Sequence, residues 1–177
     1  MKKWYWLVLV SLFTMTSYSV SFAGNRAGAI TFALGDGYYR FDSKRHIDNT
    51  GVPYGSLGYD FTKHWGIEAL LGFFTTDSRL PIDHGKEVNG RLFAVDVVYH
   101  FFPYCCLEPY VLAGPGILSM NPNGNDANTE GNINGAAGVQ FFFNKDVALR
   151  LEARDVYTIV GGKNDVFLNG GVSFLFG

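Results

Sequence analysis

The chain has 177 residues, 16 % of them aromatic, with 22 glycines and a formal charge of −2. That length suits one domain, and the near-neutral balance argues neither for nucleic acid nor for a strongly acidic ligand. The only cysteines, Cys105 and Cys106, are adjacent; no long-range disulfide is available, and a vicinal pair meets disulfide geometry only by distorting the peptide between them.

Residues 1–23 read as a signal peptide for Sec-type export. Lys2 and Lys3 form the positive start, Trp4 to Phe13 the apolar run, and Ser21-Phe22-Ala23 the cleavage site. The apolar run is too short to cross a bilayer as a helix. The expected domain therefore runs over residues 24–177.

Eight strand-like segments follow, separated alternately by long and short connections. Ala29 to Tyr39 sets Ile30, Phe32 and Leu34 against Thr31, Ala33, Gly35 and Gly37. After the polar loop Asp42 to Thr50 comes Val52 to Phe61, then the short turn Thr62-Lys63-His64. Trp65 to Thr75 sends Trp65, Ile67, Ala69, Leu71 and Phe73 one way and Gly66, Glu68, Leu70 and Gly72 the other. A second long loop spans Thr76 to Asn89. Arg91 to Phe101 then places Asp96 and His100 opposite an apolar row.

The turn Phe102 to Glu108 holds both cysteines. Tyr110 to Leu118 is interrupted by Gly114-Pro115-Gly116, where Pro115 lacks a ladder donor and a bulge is expected. Met120 to Asn132, rich in Asn, Gly, Asp and Thr, reads as a third long loop. Ile133 to Phe143 has Val139, Phe141 and Phe143 opposite Asn134, Gly138 and Gln140. Thr158 to Asp165 is a fourth loop before a last strand, Val166 to Phe176.

Val147 to Tyr157 decides the class. As a strand it puts Val147, Leu149, Leu151 and Ala153 on one face and Arg150, Glu152 and Arg154 on the other. Its letters also suit a helix, but strands on both sides leave no room for caps. A charged face backed by an aliphatic one fits a wall between lipid and a polar interior. Long loops at one end, short turns at the other and an even strand count predict an all-β fold: an eight-stranded antiparallel up-and-down transmembrane β-barrel of the outer membrane. A soluble sandwich or lipocalin-like barrel would reverse the facing, and burying Glu68, Asp96, Arg150, Glu152 and Arg154 in a dry core would cost several kcal/mol each.

Three stretches carry a family resemblance: Gly138-Val139-Gln140-Phe141, Ala148-Leu149-Arg150-Leu151-Glu152, and Gly171-Val172-Ser173-Phe174-Leu175-Phe176-Gly177. They resemble the last strands of the outer membrane protein A barrel domain, and Gly58-Tyr59-Asp60-Phe61 through Trp65-Gly66-Ile67-Glu68 resembles its second hairpin. The resemblance implies an interior closed by a polar, salt-bridged network, with Glu68, Arg150 and Glu152 at network positions. Asp96 stands where the family tends to be basic and Gln140 where it tends to be acidic, so the internal pairing here must differ. The family's peptidoglycan-binding domain is not expected in this chain.

The five inner charges are two cations and three carboxylates, and Arg150 is expected to reach across the lumen to Glu68 or Asp96. Phe61, Trp65, Phe101, Phe141, Phe143, Phe174 and Phe176 are expected to form an aromatic girdle at the short-turn end. Phe176 also resembles the terminal aromatic read by the barrel-assembly machinery. Other expected partners are outer membrane lipid and lipopolysaccharide, and a host or surface ligand at the long loops.

A lipid-modifying enzyme barrel would pair a His with a nucleophile near the outer rim. His46 and His84 fall in long loops, His64 in a short turn, and His100 inward near the short-turn end. No hydrolase motif accompanies them, so no enzyme is expected; a small porin or adhesin is the other alternative. No cofactor or metal is expected. Asn121 to Asp126 lacks the spacing and closing Glu of a calcium loop, and Lys44-Arg45-His46 reads as a solvated basic cluster within reach of lipid phosphates.

Overall fold

The structure, a computed structural model, describes residues 24–79, 87–103, 106–122 and 128–177. The signal-peptide reading of residues 1–23, His84, Cys105 and residues 123–126 of the Asn-rich run lie outside these. The strands are β1 (Ile30–Arg40), β2 (Thr50–Gly51), β3 (Tyr54–Asp60), β4 (Trp65–Asp77) and β5 (Glu87–His100). They continue with β6 (Leu107–Pro122), β7 (Asn128–Phe142), β8 (Val147–Thr158) and β9 (Lys163–Phe176). Each pairs antiparallel with its neighbour, and β1 pairs with β9 from Ile30↔Phe176 to Arg40↔Val166, closing the sheet. β2 and β3 are one stave: both pair with β1, and Pro53, which has no N–H, divides them. The barrel thus has eight staves, as the alternation predicts.

The lower rim carries the turns at 61–64 and 143–146 and the lower ends of β5 and β6, and the upper rim carries residues 41–49 and the turn at 159–162. The facing follows the pleat. On β8, Leu149 and Leu151 point outward, 38 % and 53 % exposed, while Arg150, Glu152 and Arg154 are buried. β4 and β5 repeat this, with Glu68 and Asp96 inward and Ile67, Leu71, Phe93 and Val97 outward.

Two expectations need correction. Residues 120–122 and 128–132 of one polar run, and 158 and 163–165 of the other, are strand, not loop: β6 and β7 stay paired up to Met120↔Asn128, and β8 and β9 up to Thr158↔Lys163. Above an apolar wall, paired backbone sustains a strand without hydrophobic alternation, and the Ser119 and Thr129 hydroxyls add a cross-strand bond of 3.1 Å. Nor is there a bulge at Pro115. The β5–β6 register is the same on both sides, Ala94↔Gly116 and Val97↔Ala113, with two unpaired positions between. β7 stays in register throughout, Pro115↔Ile133 included. The missing donor removes a rung, and Gly114 lets the strands close there, since a Cβ would lie 2.0 Å from the Val95 carbonyl oxygen.

Below the lower rim, Arg26 fastens the seam. Its Nε donates to the Gly177 carbonyl (2.8 Å), Nη1 to the Lys145 carbonyl (2.5 Å), and Nη2 to Asp146 (3.0 Å) and the Leu175 carbonyl (3.2 Å). Phe61, Trp65, Phe101, Phe141, Phe143 and Phe176 are exposed near this rim, and Phe174 is partly covered one rung above Phe176. Tyr59, Phe61, Trp65, Tyr99 and Phe101 make edge-to-face contacts along it.

Candidate functional site

The lumen is filled in layers, each built by inward positions of several strands. The central layer holds the five inner charges. Arg150 on β8 reaches across to Glu68 on β4, through Nη1 to Oε2 and Nη2 to Oε1, the latter at 2.9 Å. Its Nη2 also bonds Glu152 (2.5 Å), and its Nε donates to the Tyr110 hydroxyl (2.6 Å). Arg154 joins Asp96 on β5 (2.6 Å) to Glu152 (2.9 Å). Tyr110 and Asn169 donate to Glu152 at 2.8 Å and 3.2 Å.

The geometry follows from pleat and register. Glu68 and Asp96 face each other across the β4–β5 ladder, two like charges side by side. Arg150 and Arg154 stand on the opposing stave, each guanidinium dividing its donors between carboxylates. Glu152, between them, accepts from both. Gly138 makes room for Tyr110, whose hydroxyl and ring would lie 2.3 Å from a Cβ at that position. Gln140, opposite Arg150 in the β7–β8 ladder, is buried beside this layer.

Beneath it lies a layer in which His100 stands between two carboxylates. Nε2 is 3.3 Å from Asp60 and Nδ1 is 2.6 Å from Glu108, the second close but poorly aligned for a hydrogen bond. The other Glu108 oxygen accepts the Asn25 backbone N–H at 2.9 Å. A cavity of about 10 Å³, bordered by Glu68, His100, Tyr110 and Arg150, separates the two layers; it holds one water at most.

Above the central layer sits an aromatic plug of Tyr39, Phe41, Tyr54, Phe74 and Phe167, with ring centroids 4.6–6.0 Å apart. Over it folds the first upper connection, a 3-10 turn at Ser43–Arg45. Arg45 is not solvated, as its polar setting suggested. Its side chain, 1 % exposed, turns down into the mouth. Nε bonds Asp165 on β9 (2.9 Å), Nη1 bonds Glu130 on β7 (2.7 Å) and Nη2 donates to Thr158 on β8 (2.6 Å). Lys163 adds a contact to Glu130 at 2.5 Å. Burial works against the Arg45 charge, but Asp165 and Glu130 outweigh it and hold its pKa above the ordinary value.

Asp42 caps the turn. Its carboxylate accepts the Asn164 and Lys44 amides (2.8 and 2.9 Å), and those bonds keep its pKa below the usual carboxylate value. His46 closes the turn in the left-handed region, φ 53°.

Parity along each strand marks Asp60 and Glu108 as inward, since they continue the rows of Tyr54, Ser56 and Gly58 and of Tyr110 and Leu112. Arg45 carries no such signal, because its placement comes from the turn. His64 stays in its lower turn, where Nδ1 meets the His100 carbonyl at 2.9 Å. Cys106 is exposed and free.

The comparisons agree with this architecture. The family model described as outer membrane protein beta-barrel domain matches residues 6–176. The outer membrane porin F of Pseudomonas aeruginosa is 28 % identical over 96 % of this chain, and the chain spans about half, 51 %, of that protein. Among solved structures, the N-terminal barrel domain of Pseudomonas aeruginosa OprF aligns with TM-score 0.64 at 21 % identity, covering 85 % of this chain and 98 % of that one. Neisserial surface protein A aligns with TM-score 0.69 at 16 % identity, over 84 % and 99 %. Ail of Yersinia pestis aligns with TM-score 0.59 at 15 % identity, over 85 % and 99 %. Those identities speak to the fold alone. The family match spans nearly the whole chain, and by it the chain belongs to the outer membrane protein β-barrel domain family.

Proposed function

We propose that this small outer membrane barrel serves as a closed structural wall element that presents a surface, not as a large pore or an enzyme. The observation that carries this reading is the stacking inside the lumen: Arg45 bonded to Asp165 and Glu130 at the mouth, the aromatic plug, then Arg150 and Arg154 bonded to three carboxylates. Each layer crosses the barrel from one stave to others. With the upper rim at the cell surface, the paired ends of β4 to β9 become the presented surface for a host or surface ligand. His100 is enclosed between Asp60 and Glu108, which suits a buried partner better than a catalyst.

Planar-bilayer recording of the purified barrel tests the closed interior. Quiet or sub-nanosiemens traces are expected; steady nanosiemens conductance would reject it and favour a small porin, the activity named for the Pseudomonas relative.

A further inference from the structure

We propose that the outer wall carries a binding site for an anionic, phosphate-bearing lipid of the outer leaflet, with the phosphate at Arg91 and an acyl chain in the furrow below it. On the outward face of β5, Arg91 caps a row of Phe93, Val95 and Val97. It is exposed, and among the described residues no ion pair engages it. Glu87, the nearest outward carboxylate on its own strand, is four positions higher, about 13 Å along the chain. The Asp36 carboxylate, at the far edge, accepts the Gly37 amide at 2.7 Å.

A cavity of about 760 Å³ lies against Arg91, bordered also by Thr75, Asn89, Ser119 and Asn121. These are groups that suit a phosphate. The guanidinium offers a planar pair of donors. The Thr75 hydroxyl donates to the Asn89 side-chain oxygen Oδ1 at 2.8 Å, leaving the Asn89 Nδ2 hydrogens to donate outward. A second cavity, of about 510 Å³, is bordered by Leu34, Gly55, Leu57, Ala69, Leu71 and Phe93. Pro53 and Phe73 border both cavities, so the recess at Arg91 runs on into the furrow. Gly55 and Ala69 are small positions between larger apolar neighbours, and their row makes the furrow. A cation with hydroxyl and amide donors above a grooved hydrocarbon wall is complementary to one kind of occupant: a negative headgroup carrying a chain.

The assignment rests on the reading that the upper rim faces the cell exterior. Its test is native mass spectrometry of the whole barrel, folded in a neutral detergent and titrated with bis-phosphorylated lipid A, with the dephosphorylated lipid and with inorganic phosphate. One lipid A per barrel is expected to be retained. Arg91→Gln should weaken retention by about tenfold or more, the loss of a charge-assisted bidentate contact. Arg91→Lys should fall between, Ala69→Leu should weaken it several-fold by filling the furrow, and Arg40→Gln, which removes another exposed outward cation, should stay within twofold. An Arg91→Gln effect within twofold, or one matched by Arg40→Gln, overturns the site. Displacement of the lipid by inorganic phosphate, with Ala69→Leu silent, overturns the lipid and leaves an ion. A tag between Gly161 and Gly162 separates the premise: hidden on intact cells, it overturns the outer-leaflet assignment even where lipid A binding survives.

Discussion

Replacing Arg150 with Met tests whether the central layer acts as a unit. Among the described residues Arg150 is the one hydrogen-bond partner of Glu68 and one of four for Glu152, which keeps Arg154, Tyr110 and Asn169. Met fills similar volume, so the loss is electrostatic: Glu68 is left buried beside Asp96, its ladder neighbour. Breaking a buried pair by removing one partner costs about 3–5 kcal/mol. Removing the stranded charge as well, in Arg150→Met with Glu68→Gln, should restore about 2 kcal/mol of that, because a neutral amide tolerates the site far better. Urea titration of the barrel in phosphatidylcholine vesicles, with the folded fraction read from heat-modifiable gel migration, measures these two variants and Glu68→Gln alone, and so closes the cycle. A single-variant loss below about 1 kcal/mol, or strict additivity in the double variant, would refute the argument.

Three further outcomes follow from the same geometry. Arg45→Ala should release the upper turn, so that cleavage after Lys44 by trypsin speeds up at least tenfold while bilayer conductance stays small, because the aromatic plug and central layer remain. Asp42 has a folded pKa lowered by the Asn164 and Lys44 amides, so its hold on the turn is present above the ordinary carboxylate range and fades as pH falls through the folded value. The Lys44 and Asn164 amide resonances should therefore shift on acidification in the native protein and lose that response in Asp42→Asn. Gly138→Ala should cost about 1–3 kcal/mol in the same urea assay, since the new Cβ drives Tyr110 out of the network.

The wall and the central layer were legible because both obey the period of two. Leu149 and Leu151 against Arg150 and Glu152, or Ile67 against Glu68, announce their facing letter by letter. The pairing within the layer was only half legible: reach across the lumen follows from narrowness, but the choice of Glu68 for Arg150 and Asp96 for Arg154 depends on strand stagger. Residues 120–122 and 128–132 were misread because hydrogen bonding alone extends the strands there. Pro115 suggested an irregularity that the backbone absorbs by forgoing a rung. Arg45 was out of reach, since nothing local in Lys44-Arg45-His46 says that a three-residue turn will aim one side chain into the barrel.

The Arg26 clasp bears on how the barrel forms and lasts. Every other stave pairs with its neighbour in sequence, a local event, whereas Arg26 meets the Gly177 carbonyl across 151 positions. Closing β1 on β9 carries the largest loop entropy in the molecule and follows the hairpins that shorten the gap. A fastener that engages only once the seam has met contributes little to the folding barrier and much to the barrier against reopening. Arg26 is in that sense a kinetic lock: the circle is drawn by local pairing, and its lifetime is set by a guanidinium clasped to the last lower turn and the last strand.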